Sequence, residues 1–228
     1  MDIPSYWLRR PALAAEPPLT RWEQELKAAL LSGTATPEQP VWAFLSWLCD
    51  EHGYITHGTG QEDLTALVPR QSNDIGWFGN RQAVYGSSDA IWAMFFAVMD
   101  RPRVPMRVVN AAITLERAGT LEPLYFFGAG GQALAQRPFR SGWVYVLPPE
   151  TFERDPGGTF NGWPYLSHHC ASLETVRPLF KVRVRPEDFP FLEAIHAYDD
   201  ELLEQQIIQH PNGFPWLADQ EGSKQTSG

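Results

Sequence analysis

The chain has 228 residues, of which 27 are acidic and 18 basic, for a formal net charge of −9. That length suits one medium domain, or one domain with an added helical segment, and it buries enough surface to need no covalent staples. The acidic balance makes duplex nucleic acid a poor partner, because phosphate recognition normally shows as a basic stripe and here Lys and Arg are scattered, most densely at Arg101, Arg103 and Arg107.

Two distant cysteines, Cys49 and Cys170, do not announce a disulfide framework and suit a reducing compartment. The opening MDIPSYW lacks a basic region followed by an apolar run, and no stretch reaches about 18 uncharged apolar residues. The expectation is a cytoplasmic protein that neither spans nor binds a membrane. Nine tryptophans exceed what one core usually holds, so some of them are expected to line a groove.

Residues 1–19 carry prolines without periodicity and read as an extended arm. A first helix is predicted from Thr20, with Glu23 as the reciprocal member of a capping box and Gly33 as the C-terminal cap. Trp22, Leu26, Ala29 and Leu30 share one face of it. A second helix is predicted from Thr36 with Pro37 at its first position, running to Gly53 and presenting Val41, Phe44, Leu45 and Leu48 to a core.

The pattern then changes. Tyr54–His57 reads as a short strand broken by Gly58-Thr-Gly60, and residues 61–80 read as loop with room for one helical turn. Ala83–Tyr85 is a second short strand. Ser88 or Asp89 is placed to cap an apolar helix, DAIWAMFFAVM, that stops before Pro102.

From 104 to 186 the chain is β-rich, with candidate strands MRVVNAAITL, LYFFGA, GWVYVLP, YLSHHCAS and VRPLFKVRV. Their connections are mostly too short for parallel crossovers, so antiparallel pairing is expected. Residues 186–209 read as a helical closing segment, with the acidic run HAYDDELLEQQ as a solvated face. The last residues form a polar tail.

Two shorter motifs suggest other chemistry. Gly128-Ala-Gly130-Gly-Gln-Ala133 follows an apparent strand, with Glu150 about 20 residues on, in the outline of a dinucleotide fingerprint. Pro138 leaves its helix too short for a proper crossover, so a glycine-bearing hairpin loop is the plainer reading. His168-His169-Cys170 with Cys49 and His52 invites a zinc reading, but adjacent strand histidines point to opposite faces. No metal is expected, and nothing marks Cys49 as an activated nucleophile.

The pair of motifs between Tyr54 and Met99 resembles the ADP-ribosyltransferase superfamily, in the branch shared by diphtheria-like toxins and poly(ADP-ribose) polymerases. The resemblance rests on His57-Gly58-Thr59 at the end of one strand and Tyr85 at the end of the next. The apolar helix follows, with a second aromatic, Phe96, eleven residues past Tyr85. It implies an α+β fold with a split antiparallel β-sheet and helices over residues 54–217. An N-terminal arm and helical pair (1–53) would precede this domain and a disordered tail (218–228) would follow it.

It further implies that NAD is the substrate, bound bent. Tyr85 and Phe96 clasp the nicotinamide, Gly58 approaches its carboxamide, and His57 contacts the ribose. His57 and Tyr85 are the residues it would make catalytic, and it adds Thr59, Arg70 and Ser87 to the NAD site. Arg81 lies in the same connector as Arg70. ADP-ribose would pass to an acceptor that is a protein, a nucleic-acid end or a small molecule, and nicotinamide would be released.

The resemblance extends to a last strand in TVRPLFKVRV (175–184), preceded by a strand that begins at a catalytic Glu. Counting back from Lys181 lands near Tyr165, and no acid occurs between Gly157 and Leu173. Glu150, Glu153, Asp155 and Glu174 are the nearest acids that could fold back. Ala93 stands where the polymerases place a serine. The alternatives are a catalytically inactive module of the same fold that binds NAD, ADP-ribose or a protein partner, and an RNA 2′-phosphotransferase-like enzyme, which would need several cleft arginines.

Overall fold

The structure, a computed structural model, describes residues 3–38, 40–72, 76–160 and 162–217; the tail expected at 218–228 lies outside the described residues. The fold is α+β with two mostly antiparallel sheets. No helix among the described residues is long and apolar enough to cross a membrane.

In chain order the elements begin with β1 (Leu8–Arg9), α1 (Leu19–Ser32), β2 (Thr34–Ala35) and α2 (Val41–His52). Then come β3 (Ile55–Thr59), β4 (Arg70–Gln71), β5 (Gln82–Ser87), α3 (Ala90–Val98), β6 (Val108–Arg117) and β7 (Thr120–Gly130). The short α4 (Gly131–Leu134) leads to β8 (Gly142–Leu147), β9 (Glu153–Arg154), β10 (Gly158–Phe160), β11 (Trp163–Ser167), β12 (His169–Ser172) and β13 (Phe180–Val184). The chain closes with β14 (His196–Tyr198) and α5 (Asp200–Gln209).

One sheet runs β2-β13-β8-β3-β5-β12-β9, with β4 on β5; the other runs β1-β7-β6-β11-β10, with β14 on β7. In the second sheet the period-2 alternation of β7 feeds two cores. Tyr125 and Phe127 face the main one, which also takes α1, α2, α3 and the valines of β8 and β13. Leu124 and Phe126 face a smaller core closed by Trp7, Tyr198, Leu203 and Trp216. Residues of the N-terminal segment therefore add a strand to each sheet and share the main core.

Several expected boundaries move, each for a local reason. Helix α1 starts at Leu19 behind Pro18, whose carbonyl accepts from Arg21 and Trp22 N–H, so the capping box of Thr20 and Glu23 does not form. Helix α2 starts at Val41 rather than Thr36, because Thr34 and Ala35 pair with β13 and Pro40 disfavours helix in the residue before it. The glycines at the C-terminal ends hold: Gly33 and Gly53 both adopt the left-handed conformation.

β3 runs through Gly58 to Thr59 instead of breaking there. YLSHHCAS is not one strand but two, in different sheets, with the chain turning at His168. The closing segment is α-helical only from Asp200, capped by the Asp199 carboxylate, with short 3₁₀ turns at Pro186–Asp188 and Leu192–Ala194 before it. Ahead of it β14 lies parallel to β7, where Gly128 leaves room for the Tyr198 ring; a Cβ there would sit 2.4 Å from it.

Candidate functional site

A cavity of about 1090 Å³ opens between the two sheets. Its walls are β3, β5 and β12 from one sheet, β6 and β11 from the other, α3, and the end of the chain around α5.

Helix α3 is held on β3 by glycine. A Cβ at Gly58 would lie 1.7 Å from the Ala93 carbonyl oxygen, and one at Gly142 of β8 2.0 Å from that of Ala97. Only glycines allow this approach. At its other end α3 is capped by the buried Asp89, whose Oδ1 accepts from Trp92 N–H. Asp89 Oδ2 accepts from Arg10 at 2.7 Å and from the Tyr125 hydroxyl at 2.6 Å. Burial acts to raise the Asp89 pKa, but His168, Arg10 and Tyr125 outweigh it and hold the carboxyl below its ordinary value. Trp92 Nε1 donates to Asn110 Oδ1 at 2.6 Å, tying α3 to β6 across the cavity.

His57 lies on β3 with Nδ1 2.8 Å from the Tyr85 carbonyl oxygen on β5. A carbonyl only accepts, so Nδ1 carries the proton, and Nε2 of the neutral ring is a bare acceptor. Burial lowers the His57 pKa most; the Tyr85 hydrogen bond acts to raise it and the charge of Arg70 lowers it further. The ring is therefore neutral at physiological pH.

Strand pairing also frees the backbone of Gly58. Leu179 N–H reaches the Val146 carbonyl, and Lys181 N–H turns away to Gly33, so Val144 and Val146 of β8 face β13. Antiparallel alternation then makes Ile55, His57 and Thr59 the residues of β3 that bond to β8, while Thr56 and Gly58 face β5. The β3–β5 ladder consists of Thr56–Ser87 alone, so it stops short of Gly58, which lines the cavity.

Tyr85 is fixed by its own loop: its hydroxyl accepts from Arg81 N–H at 2.8 Å and donates to the Arg81 carbonyl at 3.0 Å. Its ring lies 5.1 Å from that of His169, which also meets Trp92 and Phe78.

Of the residues singled out from sequence, His57, Gly58, Tyr85, Ser87 and Phe96 share the cavity wall. Ser87 is buried, and its Oγ accepts from Asp89 N–H, so it braces the cap of α3. Thr59 is off the wall, its hydroxyl accepting from Gln61 N–H. Arg70 is exposed on β4 and reaches the site only through its charge. Arg81 is engaged with Glu153 at 3.1 Å and with the Phe78 ring. The arginines on the wall are instead Arg101 and Arg107.

The strand preceding β13 is β12, and it begins at His169 rather than near Tyr165, which belongs to β11 in the other sheet. Among the four acids considered, Asp155 is the one that folds back to the wall. Its N–H donates to the His169 carbonyl at 2.9 Å, and its Oδ1 accepts from Gly157 N–H. Burial raises the pKa of the neighbouring Tyr165, and the charge of Asp155 raises it further. Sequence reasoning assigned neither Trp92 nor His169 to the site, and it named Asp155 only as one of four acids that could fold back. The i, i+4 spacing of Trp92 and Phe96 was the one signal available for the first of them.

The other motifs resolve differently. The 128–150 unit is not a parallel βαβ, since β7 and β8 lie in different sheets and α4 has four residues. His168 bonds Ser88 Oγ through Nδ1 and Thr114 Oγ1 through Nε2, joining the sheets, while His169 faces the aromatic rings. Among the described residues no group of three or more His, Cys, Asp or Glu side chains could hold a metal. Cys49 is buried, and desolvation raises its thiol pKa far above the ordinary value, the reverse of an activated nucleophile.

Compared with protein-family models, with curated proteins and with solved structures, the chain matches none.

Proposed function

We propose that the cavity is a site for NAD and that the protein is an ADP-ribosyltransferase-like enzyme. The observation that carries this reading is the 2.8 Å hydrogen bond from His57 Nδ1 to the Tyr85 main-chain carbonyl, which fixes the imidazole tautomer beside a cavity wall that both residues line. His57 Nε2 accepts a hydrogen bond from a ribose hydroxyl. The N–H and carbonyl of Gly58, unpaired in the ladder, match the acceptor and donor of a carboxamide. Tyr85 on β5 and Phe96 on α3 supply aromatic faces for the nicotinamide, each such contact being worth about 0.5–1.5 kcal/mol beyond burial.

In the reaction the glycosidic C–N bond breaks with its electrons going to nicotinamide, which leaves neutral. Positive charge spreads over the ribose, and an acceptor lone pair forms the new bond while its proton passes to a base or water. A preorganised carboxylate lowers the barrier to such a charge. Asp155, on the wall and bonded through its backbone to His169, is the acid placed to serve.

A second reading has a specific observation behind it: the strand before β13 begins with His169 and not with an acid. On that reading the cavity binds NAD or ADP-ribose without turnover. Incubation with NAD, following nicotinamide release, protein-bound label and binding, separates the two for wild type, His57→Ala and Asp155→Asn. Release lost in both variants supports the enzyme. Binding lost only in His57→Ala, with no release from wild type, supports the module. No binding by wild type refutes both.

A further inference from the structure

A second cavity, of about 690 Å³, lies away from the cleft between α1, α2 and the N-terminal arm. Its size is within the range of small-molecule sites, about 300–1,000 Å³. Helix α2 buries one face deep in the core through Val41, Phe44, Leu45 and Leu48, and borders this cavity with another, whose Ala43 and Trp47 also belong to the core. That second face reads Trp42, Ser46, Asp50 along one row and Ala43, Trp47, Glu51 along the next, each at i, i+4 spacing. Trp22 and Glu23 from α1 complete the wall opposite. Trp47 thus stands one helical turn from Glu51.

Trp22 and Trp47 pack on each other, ring centroids 5.7 Å apart at 48°, and show only their edges to the cavity, which the half-buried Trp42 also borders; His52 stands edge-on to Trp47 at 4.6 Å. The one guanidinium in the wall, that of Arg10, is already held by Asp50, Asp89 and Tyr125. Among the described residues Glu51 has no cationic partner, and Glu23 has only His52 at 3.8 Å. Ser46 is only 4% exposed, and its Oγ has no hydrogen-bond partner among the described residues; neither has His52 Nε2. A buried hydroxyl without a partner costs stability unless a ligand or water completes it.

We propose that this cavity is a binding site for a small organic ammonium ion, with its cationic head against the tryptophans and carboxylates and a hydroxyl or amine tail meeting Ser46 and His52. Aromatic faces attract a cation through the ring quadrupole, and the effect grows when the head is desolvated. Uncompensated carboxylates at the same wall select the cation over a neutral ligand of equal shape, and they repel a ligand that carries its own phosphate. The site is separate from the NAD reading of the cleft and stands or falls without it.

The test uses the full chain with choline, its uncharged isostere 3,3-dimethylbutan-1-ol, and phosphocholine, followed by tryptophan fluorescence and calorimetry. Choline is expected to bind about ten-fold or more tighter than the isostere, a difference of about 1.4 kcal/mol in cation–π and charge attraction, and also tighter than phosphocholine. Glu23→Gln with Glu51→Gln, both at positions that leave the core untouched, is expected to weaken choline about ten-fold at unchanged melting temperature. Equal binding of choline and the isostere, tighter binding of phosphocholine, an unaffected glutamine variant, or no binding of choline by wild type would each overturn the proposal.

Discussion

Gly58 lies directly against α3, and Gly58→Ala tests whether that approach holds the site together. The added Cβ would fall 1.7 Å from the Ala93 carbonyl oxygen and 2.7 Å from its carbon, where real contacts of this type stay beyond 3.0 Å. The obstacle is backbone, so no rotamer change relieves it, and α3 must move outward by more than about 1 Å. Overpacking of this kind costs about 1–3 kcal/mol, and a rigid helix backbone belongs at the upper end.

At about 2–4 °C per kcal/mol for a chain of this size, the melting temperature should fall by about 6–12 °C. Thermal and urea denaturation read this directly. Ala93→Gly should not rescue the variant, because the contacting atom is a main-chain oxygen. A Gly58→Ala protein melting within about 2 °C of wild type would refute the packing of α3 on β3.

Other predictions follow from the buried charges. Asp89→Asn leaves Arg10 with Asp50 as its remaining carboxylate and weakens the cap of α3; the expected loss, read from urea midpoints, is near the lower end of the about 3–5 kcal/mol for breaking a buried pair. Because the folded pKa of Asp89 is depressed, its contribution is complete above the unfolded carboxylate value of about 3.9 and is lost as pH falls through the folded one. Stability of the Asn variant should therefore fall less steeply than wild type below pH 4.

His57 is also depressed, so the unfolded chain takes up its proton first and stability falls as pH drops below about 6.5. His57→Gln, melted at pH 7.5 and 5.5, should lose less on acidification than wild type. Both cysteines are buried, so a thiol reagent should label neither in the native protein and two per chain in denaturant; rapid native labelling of Cys49 would contradict the placement of α2.

Local chemistry made much of this protein legible from its sequence. Glycine after an apolar run ended α1 and α2 where expected, because a left-handed residue stops a helix whatever surrounds it. Asp89 capped α3 for an equally local reason. Boundaries set by proline and by distant pairing were less legible: α2 is shortened by a strand it makes with β13, which no window around Thr36 contains.

Which residues meet around the cavity was decided by tertiary structure alone. YLSHHCAS reads as one strand because its composition is uniform, yet its two halves hydrogen-bond to β6 and β5 in different sheets, and the turn at His168 sends His169 toward Tyr85. Asp155 reaches the wall only because β9 and β12 pair at the sheet edge. Gly58 illustrates both levels. As a glycine after a histidine it is visible in the sequence, but the helix that presses on it, and the parting of β3 from β5 that frees its backbone, arise from contacts between segments tens of residues apart.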